Sequence, residues 1–204
     1  MTDNLSREDE FLLKEYYTAT RLTFHVDEMR SKFTNLFITI VGAAAAAISI
    51  LIQGNAKNPT FGNFEIVLGV FFLLLAVAGI LVIVVIAKLR RVQLEHFRIT
   101  NNVRKHFLGT NYPLWNVVEL SDRTLPLPTR RSGTYFWTLV LIVLNSYVVA
   151  LGVYLLLHSL VLGLLALLLL ILIQDDLYIR LANPPEPQVY SQESPPDQES
   201  QPAD

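Results

Sequence analysis

Hydrophobic residues gather in long blocks along this chain, and short charged segments separate the blocks. The longest block covers residues 135–173 and contains no Asp, Glu, Lys or Arg. As a single helix it would measure about 58 Å, roughly twice the thickness of a bilayer's hydrocarbon core. Since tilting cannot absorb such an excess, the block is predicted to form two membrane spans joined by a tight turn at His158 and Ser159. A re-entrant segment in place of a complete fourth span is the main alternative.

The other blocks have the length and composition typical of transmembrane helices. Residues 53–63 are rich in Gly and Asn and include a Pro, so they are predicted to form a short loop after the first span. The fold class that follows is an all-α membrane protein whose four transmembrane helices form two hairpins, with cytoplasmic helical extensions of spans one and two. The predicted spans are residues 33–52, 64–87, 134–157 and 160–178.

The N-terminal segment, residues 1–32, is predicted to be a cytoplasmic amphipathic helix. Ser6 and Asp9 have the spacing of a capping box, and the acidic residues near them suit the positive end of a helix dipole. Neither Gly nor Pro interrupts the run into the first span, so the helix is expected to continue into the membrane. Its apolar stripe has helical spacing and consists of Leu12, Tyr16, Ala19, Leu22, Val26, Met29 and Phe33.

A second charged segment, residues 88–133, is predicted to be a cytoplasmic helix followed by a connector that contains three prolines and Trp115, the latter at headgroup level. The short first loop places the two cytoplasmic helices side by side, so their apolar stripes are expected to pair as in a coiled coil. These stripes either bury only each other or also meet other subunits or a soluble partner. The second stripe consists of Leu89, Val92, His96, Ile99, Val103 and Phe107.

The basic residues favour one orientation in the membrane. All of the 16 Lys and Arg except Lys57 precede the first span, lie between the second and third, or follow the fourth. The positive-inside rule therefore predicts a multi-pass protein of the cell membrane with both termini in the cytoplasm. Basic residues beside the spans are candidates for binding lipid headgroups, although setting topology is a sufficient role for them. These residues are Lys88, Arg90, Arg91, Arg130 and Arg131.

The C-terminal segment, residues 179–204, is rich in proline and acidic residues and is predicted to be a disordered tail. It serves either as an inert end or as a tether or docking peptide. The composition shift at its start separates it from the second transmembrane hairpin, residues 134–178.

Residue types that carry chemistry are scarce. The chain has no cysteine, its four histidines are scattered, and no phosphate-binding loop or nucleophile elbow is present. No carboxylate lies deep in a predicted span, so an ion-coupled transport site is not indicated. We therefore expect neither an enzyme nor a bound cofactor, metal ion or nucleic acid.

Two features within the predicted spans point to helix association. Gly42 and Ala46 form a small-xxx-small pair, and Ala45 and Ser49 repeat the same offset, so this surface lets another helix approach closely. That helix belongs either to the same subunit or to another one. Asn145 and Ser146 lie near the middle of the third span, where an amide needs a partner. They bond to a neighbouring helix, bond to another subunit, or line a narrow wet pore.

Residues 10–48 resemble the opening of SLATT-type and related small prokaryotic membrane proteins, in which a polar helix runs into a span rich in small residues. The resemblance extends over about residues 10–108, and the chain departs from it by having a second hairpin. It implies a pore-forming or membrane-perturbing effector of bacterial defence, controlled by a cytoplasmic protein or a nucleotide signal. The residues that carry the pattern are Tyr16, Tyr17, Arg21, Asp27 and Arg30.

The expected function is accordingly that of an inner-membrane protein in a homo-oligomer, surrounded by lipid and acting as a membrane effector or pore-like component. Its cytoplasmic helices would receive the signal, through Tyr16, Arg21, Asp27 and Arg30. The alternative is a scaffold or accessory subunit without a pore that recruits a cytoplasmic partner.

Overall fold

The computed structural model describes residues 6–57, 64–108 and 133–183. Within these ranges every regular element is an α-helix, so the all-α prediction is confirmed. The connector after residue 108 and the tail after residue 183 lie outside the described residues. Predictions for Trp115, Arg130, Arg131 and the tail after residue 183 therefore stay predictions. Residues 179–182, which were predicted to belong to the disordered tail, are part of the last described helix.

The described residues form four helices, and each is long and apolar enough to cross a membrane. This number agrees with the predicted spans and is typical of a multi-pass membrane protein. The helices are α1 (Arg7–Lys57), α2 (Phe64–Leu108), α3 (Gly133–Leu157) and α4 (Leu160–Ala182).

The first helix begins with the predicted capping box. The Asp9 amide donates to Ser6 Oγ at 3.1 Å, and the Ser6 amide donates to Asp9 Oδ2 at 3.3 Å. These bonds satisfy backbone donors that a helix start otherwise leaves open. α1 then runs without a break through the predicted boundary at residue 33 and continues five residues past the predicted end of the span, to Lys57. The expected loop at 53–63 is therefore shorter than predicted.

The second helix lies at the centre of the bundle. α2 packs against α1, α3 and α4, and α3 also packs against α4. In the most apolar stretch of α1 only 6% of the residues are buried, whereas 39% are buried in the corresponding stretch of α2. α1 is therefore the peripheral helix, held mainly by its contact with α2.

Two clusters of buried side chains hold the bundle together. One cluster draws on all four helices and includes Phe37, Ile83, Ile142 and Tyr178. The second lies toward the other end of the helices and is centred on Phe72 and its neighbours in α1 and α3. Burial of side chains of this size stabilises a fold by about 1.5–3 kcal/mol each when the alternative is exposure to water. The gain is smaller where the alternative is contact with lipid.

The apolar stripe predicted for the charged extension of α2 differs in part from the prediction. Val92, Ile99 and Phe107 are exposed, whereas Gln93 and Asn101 are buried. α2 is one continuous helix, so the face that packs into the core at Ile83 and Ala87 continues in phase to Arg90, Gln93 and Leu94. The packing within the apolar part thus determines which face of the extension turns inward. The two extensions are adjacent. Ala19 and Val26 of the stripe predicted for α1 and Val103 of the stripe predicted for α2 are buried, and the pairing of the stripes as in a coiled coil stays a prediction.

The turn between α3 and α4 falls at the predicted residues, His158 and Ser159. Ser159 is the N-cap of α4, and its hydroxyl accepts a hydrogen bond from the Leu162 amide at 3.4 Å. His158 has a φ of 51°, in the left-handed region. That conformation is uncommon for residues other than glycine and is most costly for β-branched ones.

Substitutions at His158 test this turn. We expect His158→Ile to lower the free energy of unfolding in detergent by about 1–2 kcal/mol, because a branched Cβ clashes in the left-handed region. His158→Asn is the matched control and should leave stability nearly unchanged, since Asn tolerates that region. Thermal denaturation followed by circular dichroism gives both values, and equal losses for the two variants would contradict the turn geometry.

Candidate functional site

A groove of about 250 Å³ lies between α1 and α3, at the level where the charged part of α1 gives way to its apolar part. Its lining is mixed. Hydroxyl, amide and charged groups lie toward the charged end, and large apolar side chains lie toward the other. From α1 it is lined by Asp27, Arg30, Ser31, Thr34, Asn35 and Ile38. From α2 and α3 it is lined by Ile86, Thr134, Trp137, Thr138 and Leu141.

A cluster of charged and polar side chains forms the charged end of the groove. One nitrogen of Arg30, Nη1, lies 3.1 Å from Asp27 Oδ1 and also donates to Gln93 Oε1 on α2 at 3.0 Å. The guanidinium of Arg90 donates to the same Gln93 oxygen at 2.6 Å. Gln93 therefore accepts from two cations, and it links α1 to α2 at this level.

The two guanidinium groups give this cluster a positive character. Arg90 is buried and lies three residues beyond the predicted end of the second span. Its burial, together with the nearby positive charge of Arg30, lowers the pKa of the Arg90 guanidinium from its ordinary value. An arginine nevertheless stays protonated at neutral pH. Asp27 thus faces two neighbouring positive charges.

A second contact joins the far ends of the charged extensions of α1 and α2. Arg104 Nη2 on α2 donates to the Tyr16 hydroxyl at 3.0 Å, and its guanidinium carbon lies 5.5 Å from the centre of the Tyr16 ring. His106 lies 3.7 Å from Asp9 nearby. Because Tyr16 meets Arg104 whereas Arg30 meets Gln93, the two helices run in opposite directions.

The four residues predicted to receive a signal therefore lie in different parts of the structure. Asp27 and Arg30 come together in the groove. Tyr16 serves as a contact between α1 and α2, and Arg21 is exposed on another face of α1.

Asn145 and Ser146 lie inside the bundle. Both have no exposed surface. The Asn145 carboxamide lies directly over Gly79 of α2, where an added Cβ would be 2.5 Å from Asn145 Cγ and 2.7 Å from Phe37 Cζ. These residues are thus packed between helices of one chain, and the described residues do not form a pore around them.

This interior is unusually polar for an apolar bundle. Among the described residues, no hydrogen-bond partner reaches the Asn145 carboxamide, the Ser146 hydroxyl or the carboxamide of Gln174 on α4. An unpaired buried polar group costs about 1–3 kcal/mol. Other buried polar groups do form a hydrogen bond. The Tyr135 hydroxyl donates to Asp175 Oδ1 at 2.6 Å in a buried contact between α3 and α4.

Small and polar residues of the first span lie on the side of α1 that faces away from the bundle. All are exposed, and a Cβ added at Gly42 would meet nothing within 4 Å. The Ser49 hydroxyl donates to the Ala45 carbonyl of its own helix at 2.9 Å. We call this surface the outward stripe. It consists of Thr39, Gly42, Ala46, Ser49 and Gln53.

The residues predicted to hold lipid headgroups differ in exposure. Lys88 is exposed, and Arg91 is half-exposed and lies 3.4 Å from Glu95. Arg90 departs from the prediction because its side chain is buried against Gln93, in the face that α2 inherits from its apolar part.

Several residues of the site were not foreseen. Gln93, Thr138 and the pair Tyr135–Asp175 acquire their roles only through contacts between distant segments. Gly79 had a local signal, since it ends a short cluster of small residues, with Ala76 and Ala78, within a long run of large apolar ones.

The comparisons with known proteins give no relative. No protein-family model matches the chain, and neither a curated protein nor a solved structure is significantly similar to it. In the described part of the chain, no group of three or more His, Cys, Asp or Glu side chains is placed to hold a metal ion.

Two glycine substitutions test the packing of Asn145. Gly79→Leu should lower the free energy of unfolding of the monomer in detergent by about 1–3 kcal/mol, because the new side chain overlaps Asn145 and Phe37. Gly42→Leu adds the same atoms where space is open and should change it by less than about 0.5 kcal/mol. Thermal denaturation measures both, and a similar response to the two substitutions would show that Asn145 does not occupy this position.

Proposed function

We propose that this protein is an oligomeric, multi-pass protein of the inner membrane that acts as a membrane effector, controlled through the cytoplasmic ends of α1 and α2. Spans one and two form one hairpin in the membrane and spans three and four form another, with both termini in the cytoplasm. The distribution of Lys and Arg supports this orientation.

The observation that carries the proposal is the composition of the outward stripe. Its residues recur at intervals of three and four, so they form one continuous line along α1. The buried residues Phe37 and Ile48 lie on the opposite side of the helix. Thr39 and Ser49 would otherwise face hydrocarbon, although Ser49 bonds to its own backbone. Small residues at this spacing are typical of a surface that another helix covers.

The same line continues into the cytoplasmic part of α1 with large aromatic residues. Tyr17 is 69% exposed and Phe24 is 71% exposed, and each lies in phase with the outward stripe. Aromatic rings of this size are costly to leave in water. A second copy of α1 in the parallel orientation would cover the small residues in the membrane and the rings in the cytoplasm together.

Control through the cytoplasm follows from the continuity of the helices. α1 and α2 each pass from the charged extension to the apolar part without a break. Contacts at Tyr16–Arg104 and Arg30–Gln93 hold the extensions together. A protein or nucleotide that separates or rotates them would therefore move the spans, as rigid helices transmit such shifts. The resemblance to SLATT-type proteins supports an effector of bacterial defence.

The second candidate is a scaffold without a pore. It is favoured by the position of Asn145 and Ser146, which are enclosed within one chain and would not line a channel between subunits. In that case the exposed rings of Tyr17 and Phe24 recruit a different cytoplasmic protein.

Cross-linking tests the oligomer directly, because the chain has no cysteine of its own. Ala46→Cys should give a disulfide-linked dimer in native membranes after mild oxidation. Leu168→Cys is the matched control, since Leu168 is exposed on α4, far from the outward stripe, and should stay monomeric. Equal cross-linking at both positions, or none at Ala46→Cys, contradicts the proposed interface.

A membrane-potential dye then separates the effector from the scaffold. Overexpression of the natural chain should depolarise the membrane, and Ala46→Leu should abolish the depolarisation because the larger side chain separates the α1 helices. Leu168→Ala should retain it. An unchanged potential with intact cross-linking and a co-purifying partner would favour the scaffold.

A further inference from the structure

We propose that the groove between α1 and α3 binds one membrane phospholipid whose headgroup carries both a phosphate and a primary ammonium. The proposal rests on membrane insertion of the four helices, but not on an oligomer or on depolarisation. It assigns Asp27 and Arg30 a ligand that lies at the membrane surface.

The position of the groove fits a lipid. α1 changes from charged to apolar at this level, so an inserted helix would carry the groove at the boundary between headgroups and hydrocarbon. Trp137 and Ile38 line the groove and are exposed on its outer side. The groove therefore opens sideways toward the acyl chains and does not require the ligand to come from the cytoplasm.

Arg30 is suited to hold the phosphate. Its side chain is only 17% exposed, so the surrounding protein limits its movement. Within the described residues, Asp27 and Gln93 take hydrogen bonds from Nη1 alone. The other two nitrogens of the guanidinium, Nε and Nη2, are therefore available to donate hydrogen bonds. They lie in one plane, in the geometry that binds two oxygens of one phosphate. Arg90 adds a buried positive charge on the far side of Gln93.

Asp27 is suited to hold the ammonium. Its carboxylate lines the groove and is half-exposed, so one side meets Arg30 while the other is accessible. A primary ammonium donates hydrogen bonds to a carboxylate. A trimethylated nitrogen has no N–H to donate, so an ethanolamine headgroup is preferred over a choline one.

The remaining lining suits the glycerol and acyl parts of the same molecule. Thr34 and Asn35 face the groove below Arg30, and in the described residues their side chains have no hydrogen-bond partner. They are placed to bond ester oxygens. Below them the lining becomes apolar at Ile38, Ile86 and Leu141, which suits contact with an acyl chain. A free phosphate or a nucleotide would leave this apolar end unused.

Fluorescence of Trp137 reports on the groove. The chain has two tryptophans, so Trp115→Phe leaves Trp137 as the single emitter. The purified full-length protein in detergent is titrated with phosphatidylethanolamine that carries brominated acyl chains. We expect saturable quenching at one lipid per chain, and binding of phosphatidylcholine with the same chains at least about tenfold weaker, the size of one charge-assisted hydrogen bond.

Variants then locate the binding. Arg30→Gln should weaken binding about tenfold or more, and Asp27→Asn should remove the preference for ethanolamine over choline. Thr34→Phe keeps every charge but fills the groove, and it should also abolish saturable quenching. Lys32→Gln is the matched control, since it removes an exposed positive charge of α1 close to Arg30 but outside the groove lining. Circular dichroism establishes that each variant is folded.

Two outcomes overturn the proposal. One is equal quenching by the two lipids that persists in both Arg30→Gln and Thr34→Phe. The other is competition by millimolar inorganic phosphate or soluble glycerophosphoethanolamine as strong as by the lipid, which would identify a site for free phosphate compounds. Either result leaves the cross-linking of Ala46→Cys unaffected, so failure here is distinguishable from failure of the oligomer.

Discussion

The fold depends on a solvent that accepts apolar side chains on the outside of the bundle. In α4 alone, nine large aliphatic residues between Leu160 and Ile173 are exposed. In water each such side chain would lose about 1.5–3 kcal/mol of stabilisation from burial. Summed over the nine side chains, this loss is larger than the stability of a typical small domain. In lipid the same side chains are already solvated. The interior then needs only to pack closely, and its polar groups become possible means of specifying which helices meet.

Helix continuity is the second constraint, and it explains the polar clusters. A helix that is packed in the apolar layer has its rotation fixed, and it carries that phase into the charged extension. In α2 the inward face therefore passes from Ile83 and Ala87 to Arg90 and Gln93. The extensions are joined through guanidinium and amide contacts as a result. Such contacts depend on geometry and charge, so a ligand at the groove has direct access to the link between α1 and α2.

Sequence patterns predicted the number of helices, the turn at His158 and the unbroken entry of α1 because each has a local cause. Hydropathy over a window, a capping box and the absence of Gly and Pro suffice for these features. The faces that meet were less predictable, since the position of Gln93 depends on packing some ten residues away. The groove depends on three separate helices, and the contact of Tyr135 with Asp175 joins residues 40 positions apart. Asp27 and Arg30 were identified by resemblance, but their partner Gln93 was not.

The most direct measurement of the central claim is the sidedness of single cysteines introduced into this cysteine-free chain. Glu65, Asn102 and His158 are exposed at different ends of the helices. In intact spheroplasts, a maleimide that does not cross membranes should label Glu65→Cys and His158→Cys, and it should label Asn102→Cys only after lysis. Labelling of Asn102→Cys before lysis, or equal labelling at all three positions, would contradict a bundle that spans the membrane four times with its charged extensions in the cytoplasm.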